Sequence, residues 1–253
     1  MKAFKGRAPE LLRHPAGTHV LDDLYCAANL EQRRMMAAEF YGKEYALFEN
    51  GTLNNTRGAP DTLSGLLSVV DGQKQLSIIK HFASSITPVI EKGLVDNQLA
   101  HKLIMEYLKS APISLVEDAI ETLSGDHLMH MIHTHEGAEA ACMIIAYGSA
   151  KDRKKSIRAF KGHVEAALRD EWGYLPVATA LSVTDDTSLL KKVIITDIQV
   201  CLCFGAKRIR SYCYMIEIKR CHPMKTSYRR ADRVFALMSV DHEHSFPSGR
   251  LCV

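Results

Sequence analysis

An all-helical repeat protein is the fold this sequence predicts, on three observations. Nearly every long segment from Pro9 to Ile198 carries apolar residues at the 3.6-residue helical period, alternating strand patterns are scarce, and one helix-starting phrase recurs at a near-constant interval. The composition permits it, since 253 residues that are 47% apolar or aromatic can bury a sizeable core.

Taken in chain order, the first phrase is Ala16-Gly17-Thr18-His19-Val20-Leu21-Asp22. Asn50 to Pro60, rich in Gly, Asn and Thr, reads as an inserted loop. Gln75 to Phe82, continuing to Ile86, Val89 and Ile90, places its apolar residues on one stripe, with Pro88 a kink or break near the end. Leu99 to Leu108 is a second such helix, and Gly93 with Asp96-Asn97 marks the short loop between them. Its opening, Leu99-Ala100-His101-Lys102-Leu103-Ile104-Met105, repeats the first phrase. So do Glu136-Gly137-Ala138-Glu139-Ala140-Ala141-Cys142 and Trp172-Gly173-Tyr174-Leu175-Pro176-Val177-Ala178. With Thr18, His101, Ala138 and Tyr174 taken as equivalent, the intervals are 83, 37 and 36 residues, and the first is two periods plus about 11, the size of the inserted loop. Such a period with three helices per unit marks a solenoid, because one unit cannot bury its own apolar face and must stack on neighbours. Tetratricopeptide repeats are near in length, but their Trp, Tyr and Pro landmarks are out of register here.

Charge and cysteine divide the chain. Residues 200 to 253 hold ten Lys or Arg against four Asp or Glu, a net of +6, which leaves −3 on residues 1 to 199. The same tail has five of the seven cysteines, so disulfides do not hold the body together. Gln199-Val200-Cys201-Leu202-Cys203-Phe204 is β-like, and the segment to Val253 lacks apolar periodicity. It reads as a disordered basic tail or the product of a retained intron or mispredicted exon; a degenerate further repeat around Cys213-Tyr214-Met215 is the rival. No apolar run approaches a membrane span, and the start has no apolar core for a secretory signal, so the chain reads as intracellular.

Certain longer phrases carry a resemblance. Leu11-Leu12-Arg13-His14-Pro15-Ala16-Gly17, then Leu30 to Met36 with Glu39-Phe40-Tyr41-Gly42, and above all His133-Thr134-His135-Glu136-Gly137-Ala138 followed by Gly148 to Lys154 resemble the Pumilio (Puf) repeat proteins, specifically the nucleolar Puf-A-like branch with its plant nucleolar members. The likeness runs from about Phe4 to Gln199. It implies a right-handed armadillo-like α-solenoid binding RNA on its concave face, in the nucleus and nucleolus. Pre-rRNA or mRNA would be the ligand, and pre-ribosomal RNA processing or translational control, with pre-ribosomal proteins as partners, the setting. The chain covers about a third of a full family member. It opens almost at the base-reading helix of one repeat, and Thr187 to Gln199 looks like the first helix of another, so the solenoid reads as incomplete at both ends. Leu11, Leu12 and Val20 at one end, and Leu189, Leu190, Val193 and Ile194 at the other, are then expected to be open to water.

In base-reading members of the family, two or three side chains per repeat contact one base. The equivalent trios are Thr18, His19, Asp22; His101, Lys102, Met105; Ala138, Glu139, Cys142; and Tyr174, Leu175, Ala178. Only the first has suitable hydrogen-bonding and stacking chemistry, so specific recognition is not expected. Phosphate contact is, because a cluster of cations attracts the backbone whatever the base order. The best cluster is Lys151 to Lys161, where Lys154, Arg158 and Lys161 share one helical face, with Lys155 beside them, while Ile157 and Phe160 turn to the core. Arg7, Arg13, Arg33 and Arg34 form a weaker patch. The candidate RNA contacts are thus Arg13, Thr18, His19, Asp22, His101, Lys102, Lys154, Lys155, Arg158 and Lys161. A solvated helix face and a protein-binding scaffold without RNA are the competing readings.

His127, His130, His133 and His135 have zinc-compatible spacing but no carboxylate or cysteine to complete a tetrahedral set, so they read as capping and inter-helix groups. The tail cysteines lack paired Cys-x-x-Cys knuckles. No phosphate-cradling loop, nucleophile elbow or His-Glu-x-x-His run is present, so neither an enzyme nor a cofactor or small-molecule site is expected.

Overall fold

The computed structural model describes residues 6–42 and 62–203. The inserted loop at 50–60 and the tail beyond 203 lie outside the described residues, as do the basic residues of that tail.

Among the described residues every regular element is helical. In order these are α1 (Ala8–Leu12), α2 (Pro15–Ala27), α3 (Leu30–Ala38), α4 (Leu63–Val69), α5 (Gly72–Glu91), α6 (Gln98–Ser110), α7 (Ile113–Leu123), α8 (Asp126–Met131), α9 (His135–Tyr147), α10 (Ala150–Ala159), α11 (Val164–Arg169), α12 (Tyr174–Val183) and α13 (Thr187–Leu190). A π-helical turn (Lys191–Ile195) joins α13 to α14 (Thr196–Cys203).

The repeat interval appears as a recurring cap. The N–H of Gly17 donates to His14 Nδ1 (3.3 Å), of Ala100 to Asn97 Oδ1 (2.7 Å), of Gly137 to Thr134 Oγ1 (3.1 Å) and of Gly173 to Asp170 Oδ1 (2.8 Å). The first three satisfy an amide that the first helical turn leaves without a carbonyl, and Asp170 does the same for the turn that leads into α12 at Tyr174. The four caps are 83, 37 and 36 residues apart, the interval of the sequence phrases. Glycine follows three of them for a steric reason: a Cβ on Gly137 would lie 2.1 Å from the Met131 carbonyl oxygen, and Gly17 and Gly173 meet the corresponding carbonyls of Leu11 and Ala167 at 2.6 and 2.8 Å.

The helices that these caps begin, α2, α6, α9 and α12, stack side by side into a ladder. Each is followed by a third helix, α3, α7, α10 or α13. The third helices start after Asn29, Pro112, Ser149 and Asp186, again at 83, 37 and 37 residues. Asn29 with Gln32 and Ser149 with Asp152 form reciprocal capping boxes, and Asp186 accepts from Leu189 N–H (3.1 Å). By this register α13 is the third helix of the fourth repeat, not the first helix of a further one. At the other end the short α1 packs against α2.

The core is continuous along the stack. Phe82 of α5 sits between Tyr41 (5.9 Å) and Tyr107 (6.2 Å), joining the first repeat to the second. α5 runs through Pro88, whose missing N–H leaves the Ser84 carbonyl without its helical donor; Arg13 Nη2 donates to that oxygen (3.3 Å).

Three expectations are corrected. Gln199 to Cys203 is helical, not β-like: α14 continues a helix already nucleated at Asp186, and its Ile198 is buried. Leu190, Val193 and Ile194 are buried where α13 and the π turn pack on α10, so that end is not open there. Leu12 is buried as well, and of the named end residues Val20 alone is exposed, at 49%.

Candidate nucleic-acid interface

The ladder is where a base-reading face was expected, and most of its polar side chains are turned inward. Thr18 is 6% exposed and its Oγ1 accepts from Asn97 Nδ2 (2.7 Å), the cap of the next repeat. His101 is fully buried. Its Nε2 lies 2.6 Å from the Val95 carbonyl oxygen, which can only accept, so Nε2 carries the proton and Nδ1 accepts from the Thr134 hydroxyl at 2.7 Å. Burial lowers its pKa to about 4, so the ring is neutral near pH 7. Both residues therefore clasp the following repeat's cap, and neither presents its side chain to a base. These two expected RNA contacts are corrected on that ground.

Asp22 also faces the next repeat, where its Oδ1 accepts from Gln98 N–H (3.0 Å) at the start of α6. In the third repeat Ala138, Glu139 and Cys142 are all buried. Lys109 Nζ pairs with Glu139 Oε1 at 2.6 Å, and burial pushes the Cys142 thiol up to about 12, leaving it protonated. Of the ladder candidates His19 is exposed and Lys102 half-buried.

Arg13 is engaged beside Pro88, and Lys92 Nζ donates to its carbonyl (3.1 Å). Its neighbours in the weaker patch also have partners. Arg33 lies over the Tyr25 ring and donates to the Tyr25, Ala28 and Cys26 carbonyls at the end of α2, Arg7 faces Glu10 (3.8 Å), and Arg34 faces Glu31 (4.0 Å).

The histidines join repeats. His130 Nδ1 is 2.9 Å from Asp96 Oδ1, and the His127 ring covers Gly93, where a Cβ would meet it at 2.7 Å. His133 packs edge-on against His101 and His135 against Trp172, with centroids 5.3 and 4.6 Å apart.

The second group of candidates lies on the third helix α10. A capping box starts that helix, and Ile157 and Phe160 are buried as its apolar stripe requires. Lys151 pairs with Glu121 of α7 (3.1 Å) and Lys154 with Asp186 (3.5 Å), so the helix is stitched to both neighbours. The Lys155 stem covers Gly125 and its Nζ approaches the Glu121 carbonyl (3.5 Å). Arg158 and Lys161 are exposed, and no carboxylate among the described residues lies within salt-bridge reach of either, or of Lys155. Of the ten candidates, Thr18, His19, Asp22, His101 and Lys102 lie on the ladder helices, Arg13 follows α1, and Lys154, Lys155 and Arg158 lie on α10 with Lys161 just past its end; among the ten, exposed cations without a carboxylate partner gather at this last group. Sequence reasoning missed Arg33 and Arg153 as carbonyl caps. Arg153 donates to Gly148 and Val183 carbonyls at the ends of α9 and α12. An arginine early in the third helix of two repeats was the available signal.

Comparison with known proteins follows the same lines. No protein-family model matches the chain. Pumilio homolog 24 of Arabidopsis thaliana is 34% identical over 202 residues, which is 80% of this chain and 31% of that protein. Pumilio homology domain family member 6 of Saccharomyces cerevisiae is 33% identical over 186 residues, 72% of this chain and 27% of its own length. The chain therefore spans about a third of the length of these relatives. The crystal structure of human Puf-A superposes with a TM-score of 0.73 at 25% identity, covering 94% of this chain and 49% of Puf-A. Puf-A in complex with DNA gives 0.74 over the same share of the chain.

Proposed function

Because the chain belongs to the Pumilio repeat family and is Puf-A-like, we propose that it binds RNA through the phosphate backbone, with little preference for base sequence. The observation that carries this reading is the contrast within the site: Thr18 and His101 are occupied inside the protein, while Arg158 on α10 and Lys161 in the turn just after it stand exposed with no carboxylate partner among the described residues. Phosphate contacts supply affinity without sequence information. Human Puf-A is also known in complex with DNA, which supports a nucleic-acid ligand. Lys154, Lys155, Arg158 and Lys161 are the proposed contacts, with His19 and Lys102 at the margin of the ladder.

The setting proposed with it is the nucleus and nucleolus, in pre-rRNA processing, ribosome assembly or translational control, alongside pre-ribosomal proteins; kinship with the relatives above supports this. No catalytic step is assigned to any residue.

Filter-binding titrations with structured and unstructured RNAs across a salt series test the reading. Affinity should fall steeply with salt and vary little with sequence. Lys154→Glu with Arg158→Glu should weaken all RNAs by a similar factor. Absence of retention at low salt would favour the rival, a helical scaffold that holds a protein partner.

A further inference from the structure

Lys191 and Lys192 open the π turn in the fourth repeat, and neither takes part in the bonds that join the repeats. Counted from the third-helix caps Ser149 and Asp186, they stand five and six residues in, the register of Lys154 and Lys155 on α10. α10 packs directly against α13 and the π turn, so the four lysines hold matching positions on adjacent helices. Lys191 and Lys192 are exposed, and no carboxylate among the described residues lies within salt-bridge reach of either.

The row changes sign between α7 and α10. At the same register one repeat before α10, α7 carries Glu117 and Asp118. The third-helix row is thus acidic on α7, turns basic on α10, and is still basic on the next helix. Surface charge that pairs off locally leaves no field, whereas one sign sustained across a repeat junction does. The backbone adds an independent observation. A π turn is rare and concentrates at functional positions; this one begins at the two lysines and is bonded by Thr196 Oγ1 donating to the Lys191 carbonyl (2.8 Å).

We infer that the phosphate-binding face of α10 crosses this junction, so that one ribonucleotide backbone runs over the third helices of the last two repeats and engages Lys155, Arg158, Lys161, Lys191 and Lys192. The inference rests on the RNA-binding reading. It adds two contacts and places the strand along the third-helix row, away from the second-helix ladder.

The test uses the full chain, a short fluorescently labelled oligouridylate and a potassium chloride series. Lys191→Ala with Lys192→Ala should lower affinity several-fold at low salt and reduce the slope of log K against log salt by about 1.4, since each phosphate no longer neutralised on a single strand removes roughly 0.7. Lys74→Ala with Lys80→Ala, exposed on α5, should change neither, and all variants should keep the wild-type melting curve. If Arg158→Ala with Lys161→Ala weakens binding while the Lys191/Lys192 variant matches wild type, the extended track is wrong and the RNA-binding reading stands. If the wild-type chain does not bind, both fall.

Discussion

On the ladder, Thr18, Asn97 and His101 lie below a tenth exposed and bond across repeats; at the end of α10, a third helix of the repeat unit, Arg158 and the turn residue Lys161 lie in water with no carboxylate of the described residues beside them. The two rows recur at the same interval and differ in what surrounds them. Each ladder helix is flanked by two others, so a polar group there must be satisfied by protein or cost about 1 to 3 kcal/mol. A third-helix side chain can point away from its neighbours and keep its charge hydrated. Position in the repeat therefore decides whether a polar residue is structural or available, and the following predictions challenge that division.

The largest effect is expected where the ladder is tightest. Gly137→Ala places a Cβ against the Met131 carbonyl and the Thr134 hydroxyl, and should cost about 3 kcal/mol or more in a denaturant melt. Ala100→Gly, at the same register in the second repeat, should cost only about 1 kcal/mol, the helix-propensity term. A cost at Gly137 no larger than that at Ala100 would mean that the Met131 carbonyl yields to the added Cβ.

His101→Leu should come next, at about 2 kcal/mol near neutral pH, by stranding the Val95 carbonyl and the Thr134 hydroxyl. It carries a pH signature. The folded ring titrates near 4 and the unfolded ring near 6.5, so the unfolded chain takes up the proton first. The stabilisation is complete above about 6.5 and declines as pH falls to about 4, a loss on the order of 3 kcal/mol at most. Melts between these pH values should show that decline in wild type and its absence in the variant.

Asp186→Ala should cost about 1 kcal/mol by removing the cap of α13 and the partner of Lys154. Arg158→Ala with Lys161→Ala should sit at the small end, within about 0.5 kcal/mol of wild type, because exposed residues without partners contribute little to folding. A clear loss of stability there would show that α10 is not the free face described.

The stack was legible in the sequence to the residue. The intervals of 83, 37 and 36 reappear as the spacing of His14, Asn97, Thr134 and Asp170, because a cap and an apolar period are local chemistry. The cations Lys154 and Arg158 of α10 were legible for the same reason, but not the end of that helix at Ala159, which leaves Lys161 in the turn beyond the face it was expected to share. The fates of Thr18 and His101 were not: their sequence neighbours say what each can bond to, whereas the partner lies 79 residues away for Thr18 and 33 for His101. Arg13 was misread in the same way, since its use depends on a proline 75 residues on. The path of α13 into α14 escaped because β-branched residues lower helix propensity only slightly, and packing on α10 and α11 outweighs it.

The double duty of the caps bears on where this chain can be cut and rejoined. Thr134 begins α9 and also holds His101 of the helix before it; Asn97 does the same for α6 and Thr18. A graft spliced in the loops between repeats would carry a cap away from the side chain it must meet. Splicing inside the ladder helices, just before Thr18 or His101, keeps each such pair on one parental segment. The exchangeable unit of this protein therefore runs from within the first turn of one ladder helix to the same point of the next, out of phase with the boundaries suggested by its loops.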